Sequence, residues 1–257
     1  MTEPVRLAKR VAEQKGCSRS EAERYIEGGW VSVNGQVIEV PAFKVAPQQA
    51  VVIDPHATLL DSGPVTLLLH KPPGYEAALD NGPGPQGSRS RGAPPALQLL
   101  TAQAHAPDDR SGIRLLRKHL AGLTALLALP TEASGLTVFT QDWRVERKLT
   151  EDADEVEQEI MAQVRGNVAP EQLQRLSHGL TFNGRPLPPA RVSVSSSNEQ
   201  QTRLRFALKG IRPGQIPSMC DSVGLQLLTL RRIRIGRVAM AGLAPGQWRY
   251  LLPHERF

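Results

Sequence analysis

The stretch RLAKRVAEQKGCSRSEAERYIEGGWVSVNGQVI, residues 6–38, carries helix, cap and hairpin signals back to back. Leu7, Val11 and Ala12 recur with charges between them, which predicts a short amphipathic helix over residues 6–14. Ser18-Arg19-Ser20-Glu21 has the form of a capping box, in which the serine accepts from a backbone N–H and the glutamate reaches back. A second helix is expected over residues 19–27, closed at Gly28-Gly29 where a left-handed residue costs little. Residues 30–38 alternate about Asn34-Gly35, a hairpin signal, and residues 50–53 add a strand. A small unit over residues 1–54 and a linker over residues 55–64 follow from this.

Working outward, 257 residues suffice for such a unit plus a larger one with its own core. Residues 65–70 read as a strand stopped by Lys71-Pro72-Pro73-Gly74. Residues 80–95 are rich in Gly, Pro, Ser and Arg and read as a mobile loop. A basic helix is expected around residues 113–120. Strands are expected over 155–164, 192–195 and 202–208, a helix over 170–178, a helix end near 219–223 and extended structure over 225–238. LALPTEASGLTVFTQDW, residues 127–143, reads as a buried turn feeding a strand. Strands dominate residues 65–257, with helices scattered among them, so the fold class is α+β, the small unit preceding a strand-rich domain.

Composition narrows the function. No apolar run is long enough for a membrane span and the first residues are charged, so no membrane association and a cytoplasmic location are expected. Cys17 and Cys220 lack companions at ligand spacing, and the six histidines, among them His70, His105 and His119, are scattered singly, so no metal is expected. The net charge of +6 is uneven. Residues 1–54 hold seven Lys/Arg against seven Asp/Glu, whereas residues 201–257 hold ten against Asp221 and Glu255. A polyanionic partner and a basic C-terminal segment are implied, although such charges also suit a solvated strand face.

The stretch over residues 6–38 resembles the small RNA-binding domain named for ribosomal protein S4. That likeness implies contact with structured RNA through Lys9, Arg10, Lys15, Arg19 and Arg24. LLLHKPPGY (residues 67–75), SGLTVFTQD (134–142) and LRRIRIGRVAMAGLAPGQWRYL (230–251) are similar, in order, to three motifs of the RsuA-type ribosomal RNA pseudouridine synthases. The resemblance implies a domain built on a mixed, mainly antiparallel sheet, and an enzyme without a cofactor that takes a uridine out of the RNA stack, attacks it with an aspartate and rejoins the base through carbon. It also implies ribosomal RNA as the partner, held further by Lys71, Arg231, Arg232 and Arg234. A monomer is expected.

The family motif puts the nucleophile four residues before the serine of S-G-L, and Pro130 stands there. Proline offers neither a nucleophile nor a charge. Ile160 occupies the place of the family's pocket tyrosine, and Gly214-Gln215-Ile216-Pro217-Ser218-Met219 replaces its R-Q-I-R-R-M. A buried guanidinium deprived of its carboxylate costs on the order of 3–5 kcal/mol, so joint loss of acid and arginine is coherent and implies a relaxed pocket. Ile160, Gly214, Ile216, Pro217, Ser218 and Leu136 are its expected walls. Three readings remain: an RNA-binding protein with a degenerate site, an active synthase using Glu132, Asp142 or Asp80, and an assembly protein whose cleft holds a protein segment on Ile160, Ile216 and Leu136.

Overall fold

A computed structural model of the chain describes residues 3–59, 63–77 and 92–257. It divides into two compact units, one of residues 1–64 and 112–122, the other of residues 65–111 and 123–257.

In the first unit, α1 (Leu7–Lys15) and α2 (Arg19–Glu27) pack beside a three-stranded sheet of β1 (Val31–Val33), β2 (Gln36–Val37) and β3 (Val51–Ile53). The capping box forms: Ser18 Oγ accepts from Glu21 N at 3.2 Å, and Ser18 N donates to Glu21 Oε2 at 2.8 Å. The left-handed residue after α2 is Gly29, at φ 69°, not Gly28. Asn34 and Gly35, both at positive φ, make the hairpin turn. Leu7, Val11, Ala22, Ile26 and Val31 form the core.

The basic stretch around 113–120 departs from expectation twice. It holds only a single 3₁₀ turn, Arg117–Leu120, and residues 112–122 belong to the first unit, not to an unbroken 65–257 domain. Its contacts explain both. Arg114 lies 4.5 Å from the centre of the Trp30 ring and 3.3 Å from Asp54, and Glu39 accepts from Arg117 N at 2.8 Å.

The second unit is built on a nine-stranded sheet, with a separate two-stranded hairpin of Thr181–Phe182 and Arg185–Pro186. Its elements in chain order are β4 (Thr66–Lys71), β5 (Thr124–Leu126), β6 (Ser134–Thr140), α3 (Trp143–Thr150), β7 (Glu157–Arg165), α4 (Pro170–Ser177), β8 (Arg191–Ser197), β9 (Gln201–Lys209), α5 (Gln215–Ser222), β10 (Leu227–Ile235), β11 (Val238–Ala239) and β12 (Trp248–Tyr250). The path runs β8-β9-β7-β10-β6-β4-β12, with β11 on β10 and β5 on β6. Only β10 and β6 pair in parallel, so the sheet is mixed and mainly antiparallel. Helix α3 is an addition: Asp142 caps it by accepting from Arg144 N at 2.8 Å, and Leu149 buries its apolar side.

Two cores serve the sheet. One sets α4 and α5 against Ile160, Ala162, Val164, Leu204 and Phe206; the other gathers Leu68, Leu136, Val138, Leu149 and Ile235. Among the described residues no helix is long and apolar enough to cross a membrane. Asp80 and most of the expected 80–95 loop lie outside the described residues.

Candidate functional site

Directly opposed residues on neighbouring strands share a face of the sheet. Across β8, β9, β7 and β10 one transverse row reads Val192, Phe206, Ile160, Arg232, and the next reads Val194, Leu204, Ala162, Leu230. This is the face that α4 and α5 cover. Over it opens a cavity of about 150 Å³ walled by residues 127–130, Gln158, Ile160, residues 211–216, Leu230 and Arg232.

Pro130 borders this cavity, and among the described residues no carboxylate lines it. Ile160, Gly214 and Ile216 stand in its wall. Pro217 and Ser218 do not; they lie further along α5, whose first turn tolerates a proline because its N–H groups have no intrahelical acceptor. Leu136 packs in the other core, and only its carbonyl turns to the site.

The cavity wall keeps a buried charge at Arg232. Its side chain is 2% exposed, so it is no surface contact for RNA. Nε donates to Leu136 O at 2.7 Å, Nη1 to Gln158 Oε1 at 3.1 Å and Nη2 to Leu127 O at 2.7 Å. Burial pushes the guanidinium pKa down to about 9, so it stays cationic at neutral pH. Among the described residues this buried cation is therefore held by neutral oxygens alone, an arrangement that alternation along β10 fixes and a count of arginines in a motif does not reveal. Leu127, whose carbonyl is one of those oxygens, sits at φ 51°. A branched aliphatic residue is costly in that region and persists where its surroundings hold it.

Lys71 is the second correction. It is fully buried and has no surface to offer a phosphate. Nζ donates to Tyr75 O at 2.8 Å, Pro72 O at 3.2 Å and Thr131 O at 3.3 Å, while Gly74 N donates to Thr131 O at 2.8 Å. The lysine thus ties the loop after β4 to the turn that carries Pro130. Burial lowers its pKa to about 8, against a smaller opposing effect of Glu132.

The candidate acids stand apart from the cavity. Glu132 is exposed and Asp142 is engaged in capping α3, beyond the far end of β6; neither lines the cavity. In the first unit Lys9 lies 3.9 Å from Glu13, Arg19 is 3.1 Å from Glu23, and Lys15 Nζ is 4.7 Å from the centre of the Tyr25 ring. Arg24 donates to Leu59 O, and Arg10 is half-buried. Of the β10 arginines, Arg231 is exposed, whereas Arg234 Nη2 contacts Glu157 at 2.6 Å and Glu159 at 2.7 Å.

Comparison with known proteins places this geometry. Residues 5–51 match the S4 domain. Over 254 residues the chain is 27% identical to the ribosomal small subunit pseudouridine synthase A of Escherichia coli K12, covering 98% of each protein. It is 25% identical over 252 residues to the ribosomal large subunit pseudouridine synthase B of Bacillus subtilis, covering 97% of this chain and 93% of that one. A crystal structure of a pseudouridylate synthase superposes with a TM-score of 0.58 at 19% identity, covering 96% of each chain, which establishes the shared fold.

Proposed function

We propose, for a chain that carries an S4 domain and is homologous end to end to the RsuA-type ribosomal RNA pseudouridine synthases, that it binds structured ribosomal RNA without isomerising uridine. One observation carries the reading: among the described residues the cavity bordered by Pro130 has no carboxylate in its wall, and its buried cation donates to neutral oxygens. A uridine entering it would meet the apolar walls of Ile160 and Ile216 and the amide of Gln158. Those groups orient a base by shape and hydrogen bonding. None can form the covalent adduct on which C–C rejoining depends.

Displacement of the acid is a poor remedy. A misplacement of about 1 Å can cost a factor of about a hundred, and Glu132 and Asp142 are outside the cavity altogether. We assign the protein to the cytoplasm, where ribosomal RNA is matured, and treat the cavity as a retained recognition feature.

The test is an incubation of purified protein with a ribosomal RNA transcript, read by mass spectrometry for pseudouridine. No conversion is expected. Conversion that Glu132→Ala or Asp142→Ala abolishes would overturn the proposal and identify the acid.

A further inference from the structure

The opposite face of β8, β9, β7 and β10 belongs to no site described above. Its transverse rows read Arg191, Ala207, Glu159, Arg234; then Ser193, Arg205, Met161, Arg231; then Ser196, Arg203, Gln163, Thr229; and Lys209 stands opposite Glu157. Six cations thus share one face with two carboxylates. Glu157 and Glu159 bind Arg191, Arg205 and Arg234, and Lys209 lies 3.5 Å from Glu155. Arg203 and Arg231 are exposed and form no ion pair among the described residues. A shallow depression of about 610 Å³ runs over the paired arginines, bordered by Ser177 and His178 at the end of α4.

We infer that this face is a second polyanion-binding surface, separate from the cavity, and that its occupant is the phosphate backbone of double-helical RNA. Two features select that occupant. The charge excess is large and concentrated on strands packed about 4.8 Å apart, so neighbouring cations lie within reach of successive phosphates. The rows contain no aromatic residue; Phe206 is buried on the other face. A surface that reads single-stranded bases needs rings to stack on, whereas one that reads a duplex works through backbone charge and shape. The two carboxylates do not cancel the patch, since they are outnumbered by the guanidinium groups they hold.

The inference rests on the RNA-binding part of the proposed function and not on its loss of catalysis. Binding of a short blunt RNA duplex of arbitrary sequence to the full chain, followed by fluorescence anisotropy across a salt series, tests it. The double variant R203Q/R231Q removes two exposed charges that form no ion pair among the described residues, without touching either core. Its slope of log K against log salt is expected to be shallower by about 1.4–1.8, with affinity at physiological salt reduced on the order of tenfold. Wild-type affinity and slope in the double variant would overturn the inference while leaving RNA binding elsewhere intact. So would unchanged duplex binding accompanied by lost affinity for polyglutamate, because the occupant would then be an acidic protein. Failure of the wild-type chain to bind any RNA would instead remove the proposed function itself.

Discussion

Arg231 and Arg232 are chain neighbours on opposite faces of the same four strands: one is exposed among cations, the other 2% exposed in an apolar core beside the cavity. The difference comes from the two-residue repeat of a strand, which sends successive side chains to opposite sides. One face became a cavity whose chemistry depends on desolvation, and the other an open field whose effect depends on solvent and salt. A run such as LRRIRIGR therefore contributes to two unrelated environments, and treating it as a single basic strand merges them.

The seam of this comparison is Gly135, which stands opposite Arg232 where β6 and β10 run parallel. Its φ is +116°, and a Cβ there would lie 2.2 Å from Arg232 O and 2.6 Å from Arg232 N. The obstacle is backbone, so no rotamer change relieves it. Gly135→Ala is expected to cost at least about 4 kcal/mol or to prevent folding, the largest effect anticipated here. A denaturation midpoint near that of the unaltered chain would show that the two strands are not so closely apposed.

The neighbouring arginines supply the direct contrast. Arg232→Leu removes the donor from Leu136 O, Leu127 O and Gln158 Oε1 and is expected to destabilise by about 2–4 kcal/mol. Arg231→Gln changes an exposed charge and should stay within about 0.5 kcal/mol of the parent. Urea unfolding of the two variants measures both. Equal losses would break the division between faces.

Local signals made the first unit readable. The capping box, the Asn34-Gly35 turn and the spacing of Leu7 and Val11 each act within a few residues, and α2 falls on the expected residues 19–27. The strand-rich α+β character was also legible, because strand runs and their stops are local, whereas the mixed, mainly antiparallel pairing joins distant segments and was implied only by the family resemblance. What escaped depended on distant partners. The stretch 112–122 carries a basic, helix-like composition but is recruited by Trp30, Asp54 and Glu39, far away in sequence. For the candidate site, the spacing to Ser134 led to Pro130, and the frame Q-I-x-x-M led to Gly214 and Ile216, all of which border the cavity. Arg232 and Lys71 were misread as surface cations because charge is visible in a sequence and burial is not; the strand repeat on β10 was the available clue for Arg232.

Lys71 offers the finest test of how strongly the cavity side is desolvated. Folding moves its pKa from 10.5 to about 8, so below pH 8 both folded and unfolded chains are protonated and the full penalty of burying the charge is present. Between pH 8 and 10.5 the folded chain releases the proton while the unfolded chain keeps it, and stability contributed by this group must rise with pH. Cys220 and Tyr250, whose buried groups are pushed upward, act in the opposite sense above their unfolded values. They do so equally in wild type and in Lys71→Met, so the difference between the two proteins isolates the lysine. Relative to that variant, the wild type is expected to gain on the order of 1 kcal/mol in urea unfolding between about pH 7 and pH 9.5. A pH-independent difference would mean that water reaches the ammonium and that the tie between Thr131 and Tyr75 is made in a solvated pocket, which would shrink the contrast with the exposed cations across the sheet.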